Sequence, residues 1–236
     1  MKKILITGVS KGLGWGIAQY FLNEGFKVLG ISRGILEDLN KNENFKHLAL
    51  DLSDLSSIQP SVKKFLADEG DLEYIVLNAG MLGEIKDLQE TSMEDLKTLM
   101  DVNVWSNKEL LDTVFTQPSK VKQVVAISSG ASINGNRGWG GYSISKAALN
   151  MMIKLYAAEK EAVHFNTLAP GLIDTGMQDY LCGEVDESKF ESTLRLKAAK
   201  GTSSMPKPKE AGVIIGKAIP KLIEYQSGDY VDVRKM

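Results

Sequence analysis

Three side chains in this chain are spaced for proton chemistry: Ser129, Tyr142 and Lys146. Tyr142 and Lys146 stand four residues apart, so on a helix they share one face and can approach a common point. An isolated phenol titrates near ~10 and is neutral at pH 7. A neighbouring ammonium favours the phenolate by Coulomb attraction, which lowers that pKa and eases proton transfer. Ser129 precedes the tyrosine by thirteen residues and ends an apolar, β-branched run. From there its hydroxyl could hydrogen-bond a carbonyl oxygen and hold it for protonation. A Tyr-x-x-x-Lys pair alone is common by chance. Joined to this serine, a Gly-rich loop and Asn103, it reads as a site.

The elements that must position these groups alternate in type. Short, nearly continuous apolar runs at 3–7, 27–32, 46–50, 73–78, 121–128, 163–168 and 229–233 read as strands covered on both faces. Amphipathic stretches at 13–24, 55–68, 95–116, 141–159 and 209–224 read as helices, the first ended by Gly25 as a left-handed cap. Little room remains for a full helix between the second and third strands. Alternation of this kind predicts an α/β fold, a doubly wound parallel sheet in three layers, over one domain spanning 1–236. Right-handed crossovers place its ligand crevice at the carboxyl ends of the strands, where all the motifs fall.

Directly after the first strand comes Thr7-Gly8-Val9-Ser10-Lys11-Gly12-Leu13-Gly14. A dinucleotide pyrophosphate needs close backbone approach, which glycines permit, and a helix N-terminus aimed at it. A tight strand-to-helix turn without a ligand is the plainer reading of the glycines alone. At the end of the second strand, where an acid usually takes the 2′-hydroxyl of NAD, the chain offers Ser32-Arg33. Arg33 and Lys11 would together hold a 2′-phosphate, so NADP is favoured over NAD; two ordinary surface charges are the alternative.

Glycines at 8, 12 and 14, followed by Ser129, Tyr142 and Lys146, resemble the short-chain dehydrogenase/reductase family, a Rossmann-fold family. The likeness runs from residue 3 to about 178 and implies roles position by position. Tyr142 is then the acid in reduction, Lys146 lowers its pKa and holds the nicotinamide ribose, and Ser129 positions the carbonyl. Asn103 matches an asparagine that anchors a water in a proton relay. Ser10 and Leu13 belong to the phosphate loop, Asp51-Leu52 to the adenine contact, and Asn78-Ala79-Gly80 to a turn beside the adenine ribose. In Pro170-Gly171-Leu172-Ile173-Asp174-Thr175, Ile173 would hold the carboxamide, and Thr175 a phosphate or the carboxamide. Gly138-Trp139-Gly140-Gly141-Tyr142 and Asp174-Thr175-Gly176-Met177-Gln178 look like the sepiapterin and benzil reductase branch, which reduces vicinal dicarbonyl compounds with NADPH. An alcohol or sugar dehydrogenase, or a nucleotide sensor without catalysis, remain the alternatives.

Residues 176–205 lie outside the strand–helix pattern and are expected to cover the substrate as a lid. Met177, Tyr180, Leu181 and Cys182 could line its pocket, with Met81, Leu82, Ile133 and Trp139 opposite, which suits an apolar or aromatic carbonyl compound. A formal charge of -2 argues against nucleic acid and membrane surfaces as partners. One cysteine precludes an internal disulfide, and His47 and His164 lack metal-ligand spacing, so no metal is expected. The opening apolar run stops at Thr7, too short for a signal core or membrane span, and predicts a cytoplasmic protein. From Tyr142 to Ala158 the helix is apolar almost all round and needs cover on both sides. A second subunit or the chain's own lid could supply it. A homodimer is favoured, a tetramer possible.

Overall fold

A computed structural model describes residues 1–34 and 37–236. Seven parallel strands form one sheet in the order β3-β2-β1-β4-β5-β6-β7. They are β1 (Lys3–Thr7), β2 (Lys27–Ser32), β3 (Phe45–Ala49), β4 (Leu72–Leu77), β5 (Val121–Ile127), β6 (His164–Ala169) and β7 (Tyr230–Asp232). The helices are α1 (Gly12–Asn23), α2 (Glu37–Asn40), α3 (Leu55–Leu66), α4 (Met93–Met100), α5 (Ser106–Phe115), α6 (Gly140–Glu159), α7 (Gly176–Gly183), α8 (Ser192–Ala199) and α9 (Pro208–Ala218). This is the doubly wound Rossmann arrangement, and the strand order reverses between β1 and β4.

Neighbouring residues of one strand feed opposite layers, because side chains alternate across the pleat. Leu5, Leu29, Ile75, Val124 and Phe165 pack toward α3, α5 and α6. Ile4, Ile6, Val28, Val76, Val125 and Leu168 pack toward α1 and α9. Both faces of the central strands are therefore covered, which is why they read as nearly continuous apolar runs. A third, smaller apolar cluster sits beyond the strand ends, where Leu181, Val185, Phe190 and Leu196 from 176–205 meet Leu82, Ile85 and Tyr142.

Two expected helices depart from the reading. Residues 95–116 are not one α-helix: a π-helical turn, Asp101–Trp105, separates α4 from α5. Such a turn inserts one extra residue into the ladder and is unfavourable unless tertiary bonds hold it. Here the fully buried Asn103 supplies them, by pairing with the backbone of Met81. The last helix, expected to run to 224, leaves α-geometry at Ala218 and continues as a 3-10 segment, Ile219–Glu224. Pro220 has no N–H to continue the α-ladder. Gly25, with φ +77°, ends α1 as anticipated.

Candidate active site

A cleft of about 990 Å³ opens along the carboxyl ends of the strands. Nineteen of the residues expected at the site line it. From the loop between β1 and α1 come Gly8, Ser10, Lys11, Gly12 and Leu13; after β2 and β3 follow Ser32, Arg33, Asp51 and Leu52. After β4 stand Asn78, Ala79 and Gly80, and after β5 Ser129. Tyr142 and Lys146 project from α6, and Pro170, Gly171, Ile173 and Thr175 follow β6. Gly14 and Asn103 are not in the lining. A Cβ at Gly14 would meet Gly8 O at 2.3 Å, so this glycine lets α1 start hard against the loop and leaves the cleft to its neighbours. Gly8 and Gly12 take positive φ, +76° and +61°, which a side chain would resist.

The loop is braced by a residue the motif reading passed over. Thr7 Oγ1 accepts the N–H groups of Asn78 and Ala79, each at 3.0 Å. Asn78 Nδ2 donates back to Thr7 O at 3.0 Å and Gly8 O at 3.3 Å. Two strand ends are thus locked together across the point where the sheet order reverses. The available signal was a threonine closing the first strand. At the ribose end, Ser53 N–H and hydroxyl hold the Asp51 carboxyl below the usual carboxylate range, with help from the Arg33 charge. The acids of α2 make contacts of their own. Glu37 pairs with Lys41 at 3.3 Å, and Asp38 accepts from Trp15 and Gln19 at 2.9 and 2.8 Å.

At the other end Tyr142 and Lys146 are both buried, 8% and 4% exposed. Lys146 Nζ donates to Ile127 O at 2.8 Å and lies 5.8 Å from the Tyr142 ring centroid. Burial pushes the Lys146 ammonium down to about 8. Burial also pushes the Tyr142 phenol up to about 12, against a hydrogen bond from Ser129 that favours ionisation. The expected Coulomb pull of the ammonium on the phenol is therefore not what governs it in this structure; desolvation does, in the opposite direction. What the geometry provides is an acid that keeps its proton at neutral pH, beside a serine hydroxyl. Ser129 Oγ accepts from Ala131 N–H at 3.1 Å, which leaves its own proton for the cleft.

Asn103 works one layer behind. Its Oδ1 accepts from Met81 N–H at 2.8 Å, and its Nδ2 donates to Met81 O and to Ser145 Oγ, both at 2.9 Å. A Cβ on Gly80 would lie 3.1 Å from Asn103 Oδ1 and 3.3 Å from Lys146 Nζ, so the glycine keeps these two groups close together. Asn103 thus braces the Met81 turn and Ser145 from behind the cleft. Of the expected substrate walls, Met81, Trp139, Met177 and Leu181 line the cleft, whereas Leu82, Ile133, Tyr180 and Cys182 do not. Ile133 is 65% exposed, Leu82 and Cys182 belong to the apolar cluster behind α7, and Tyr180 Oη accepts from Ile85 N–H at 3.1 Å. Asn134, Asn136, Ser192, Arg195 and Arg234 line it unanticipated. They come from loops, α8 and the last turn, where no motif marks them. Among the described residues there is no group of three or more His, Cys, Asp or Glu placed to hold a metal ion, and no helix long and apolar enough to cross a membrane.

The family model for short chain dehydrogenase matches residues 2–184. The chain belongs to that family. Among curated relatives, this short-chain dehydrogenase is 31% identical to a benzil reductase ((S)-benzoin forming) of Bacillus cereus, over 95% of its own length and 94% of the relative's. It is 32% identical to a benzil reductase ((S)-benzoin forming) of Saccharomyces cerevisiae, over 99% and 97%. Among solved structures, the YIR035C short chain dehydrogenase/reductase from S. cerevisiae superposes with a TM-score of 0.86 at 26% identity, covering 99% of this chain and 96% of that one. The protein is accordingly an NAD(P)-dependent oxidoreductase.

Proposed function

We propose that this dehydrogenase reduces a ketone or vicinal dicarbonyl compound to the alcohol with NADPH. The observation that carries the reading is the convergence of a buried, protonated Tyr142, the Ser129 hydroxyl and Lys146 in one cleft. The likeness to two benzil reductases over nearly the whole chain supports the dicarbonyl class. Met81, Trp139, Met177 and Leu181 give that part of the cleft an apolar and aromatic character suited to it.

The residues present fit the dinucleotide. Gly8, Ser10, Gly12 and Leu13 at the start of α1 would take the pyrophosphate on backbone N–H groups, and the open left-handed glycines leave it room. Lys11 and Arg33 would take a 2′-phosphate, and β2 ends in Ser32-Arg33 with no acid there to claim a 2′-hydroxyl. Asp51, Leu52, Asn78, Ala79 and Gly80 would border the adenosine, and Pro170, Gly171, Ile173 and Thr175 the carboxamide side. When bound, the dinucleotide supplies the hydride to the carbonyl carbon. Ser129 then holds the carbonyl oxygen, and Tyr142 gives it a proton as negative charge develops there. Lys146 would hold the nicotinamide ribose and stabilise the phenolate left behind. Asn103 keeps the Met81 turn and Lys146 in register.

The same reading makes 1–236 one catalytic domain with 176–205 as its lid, closing over the substrate to exclude water. It places the enzyme in the cytoplasm as a homodimer; α6 supports the dimer, with Ile144, Met151 and Leu155 exposed in one stripe. The test is NADPH and NADH consumption against benzil, other diketones, aromatic ketones, pterins, quinones and sugars. Turnover of dicarbonyls with NADPH is expected, with Arg33→Ala weakening NADPH about tenfold or more and NADH little. Preference for NADH, or no turnover across the panel, overturns the reading.

A further inference from the structure

Ser129 sits at the mouth of a short serine-rich turn, and the far side of that turn is tied to α6. Residues 128–132, Ser-Ser-Gly-Ala-Ser, carry the chain out of β5 into a 3-10 turn, Gly130–Ser132. Two hydrogen bonds close it. Ala131 N–H donates to Ser129 Oγ at 3.1 Å, and Ser132 Oγ donates to Ser129 O at 2.7 Å. The first decides what the serine can do: with a lone pair committed to Ala131, the hydroxyl must offer its own proton elsewhere.

Asn150 grips this turn at both ends. Its Oδ1 accepts from Ser128 Oγ at 2.6 Å, and its Nδ2 donates to Ser132 Oγ at 2.9 Å. A primary amide accepts at its oxygen and donates from its nitrogen at the same time; alanine, serine or aspartate at this position loses one half of the grip or both. Asn150 lies four residues beyond Lys146 and eight beyond Tyr142, so α6 presents all three along one face. Asn150 is absent from the cleft lining, while Ser128 and Ser129 are part of it. From β7, Tyr230 Oη reaches Ser129 O at 3.4 Å and supports the same carbonyl.

We infer that Asn150 is a positioning residue for the reaction: by clamping Ser128 to Ser132 it fixes the turn that aims the Ser129 hydroxyl at the reacting oxygen. One helix thereby carries the acid, the ammonium and the clamp on the serine that has to meet them, so that the three move as a unit. The inference rests on the reductase reading above and goes beyond it by naming what sets the serine's direction.

The experiment is a double-mutant cycle on NADPH oxidation with benzil, using the wild type, Asn150→Ala, Ser129→Ala and the double variant, with NADPH binding followed by fluorescence. Asn150→Ala should lower kcat about tenfold with the KM for NADPH changed less than about twofold, and should cost less than about twofold once Ser129 is already alanine. A loss of the same size in the Ser129→Ala background, or an unchanged kcat, overturns the inference and leaves the reductase reading standing. A Ser129→Ala enzyme as fast as wild type, or a wild type inert toward benzil and every other carbonyl compound of the panel, overturns the reading beneath it and the inference too. Should Asn150→Ala fail to bind NADPH, Ser132→Ala removes a single oxygen from the same clamp and is judged by the same comparison.

Discussion

A lysine at the bottom of a cleft, with one backbone carbonyl for company, gives up its proton early. Burial holds Lys146 at about 8 in place of 10.5, so between those pH values the unfolded chain binds more protons than the folded one. The sign follows: this lysine's burden on stability is largest below pH 8 and is relieved as pH climbs toward 10. Lys146→Met should therefore gain stability relative to wild type at pH 7, and the gain should shrink by pH 9.5. Urea denaturation of the cofactor-free proteins at both pH values measures it; a difference independent of pH refutes the assignment. Tyr142 answers to a simpler test. Tyr142→Phe should lower kcat about a thousandfold while NADPH still binds, since only the proton donor is removed. Ser129, Tyr142 and Lys146 were legible from type and spacing. What spacing could not tell was the balance of forces on them, because burial is a property of the packed cleft. Asn150 was missed for a related reason: it acts through Ser128 and Ser132, some twenty residues earlier in the chain, and no local pattern records that contact.

At the scale of elements, the strands were legible because the central ones are covered on both faces and carry runs of apolar residues such as Ile4–Ile6, Tyr74–Leu77 and Val124–Ile127. The break at Asp101–Trp105 was not, since the extra residue of a π-turn leaves the local apolar composition of α4 and α5 unaltered. What stabilises it is the backbone of Met81, some twenty residues away in sequence. Helices α7 and α8 escaped because each is only eight residues long, too short for its apolar positions to repeat. The tightest helix contact has its own test. α1 meets α9 where a Cβ on Gly16 would lie 2.0 Å from Pro208 O, and one on Gly212 would lie 2.2 Å from Gly16 backbone. Gly16→Ala must push two backbones apart and should cost at least about 2 kcal/mol in chemical denaturation. Gly183→Ala, with nothing within 4 Å of the new methyl, should change stability by less than about 1 kcal/mol and serves as the control. Equal effects would mean that α9 yields freely.

For the whole molecule, the exposed stripe of α6 predicts how copies meet. Ile144, Met151 and Leu155 are 45%, 57% and 55% exposed, at helical spacing, and Trp105 adds an exposed ring nearby in sequence to α5. Met151→Glu with Leu155→Glu should convert a dimer to a monomer by light scattering after size exclusion, through charge set in a desolvated contact. A wild type already monomeric would remove the premise. The docking of α1 on α9 also has a consequence for synthesis. The helix made first finds its partner almost last: Gly212 follows Gly16 by 196 residues, or about 10–40 s of translation at ordinary speeds. Through that interval Gly16 and Tyr20 lack the α9 surface, Pro208, Gly212 and Gly216, that will cover them, and this side of α1 stays open to whatever shields nascent segments at the ribosome.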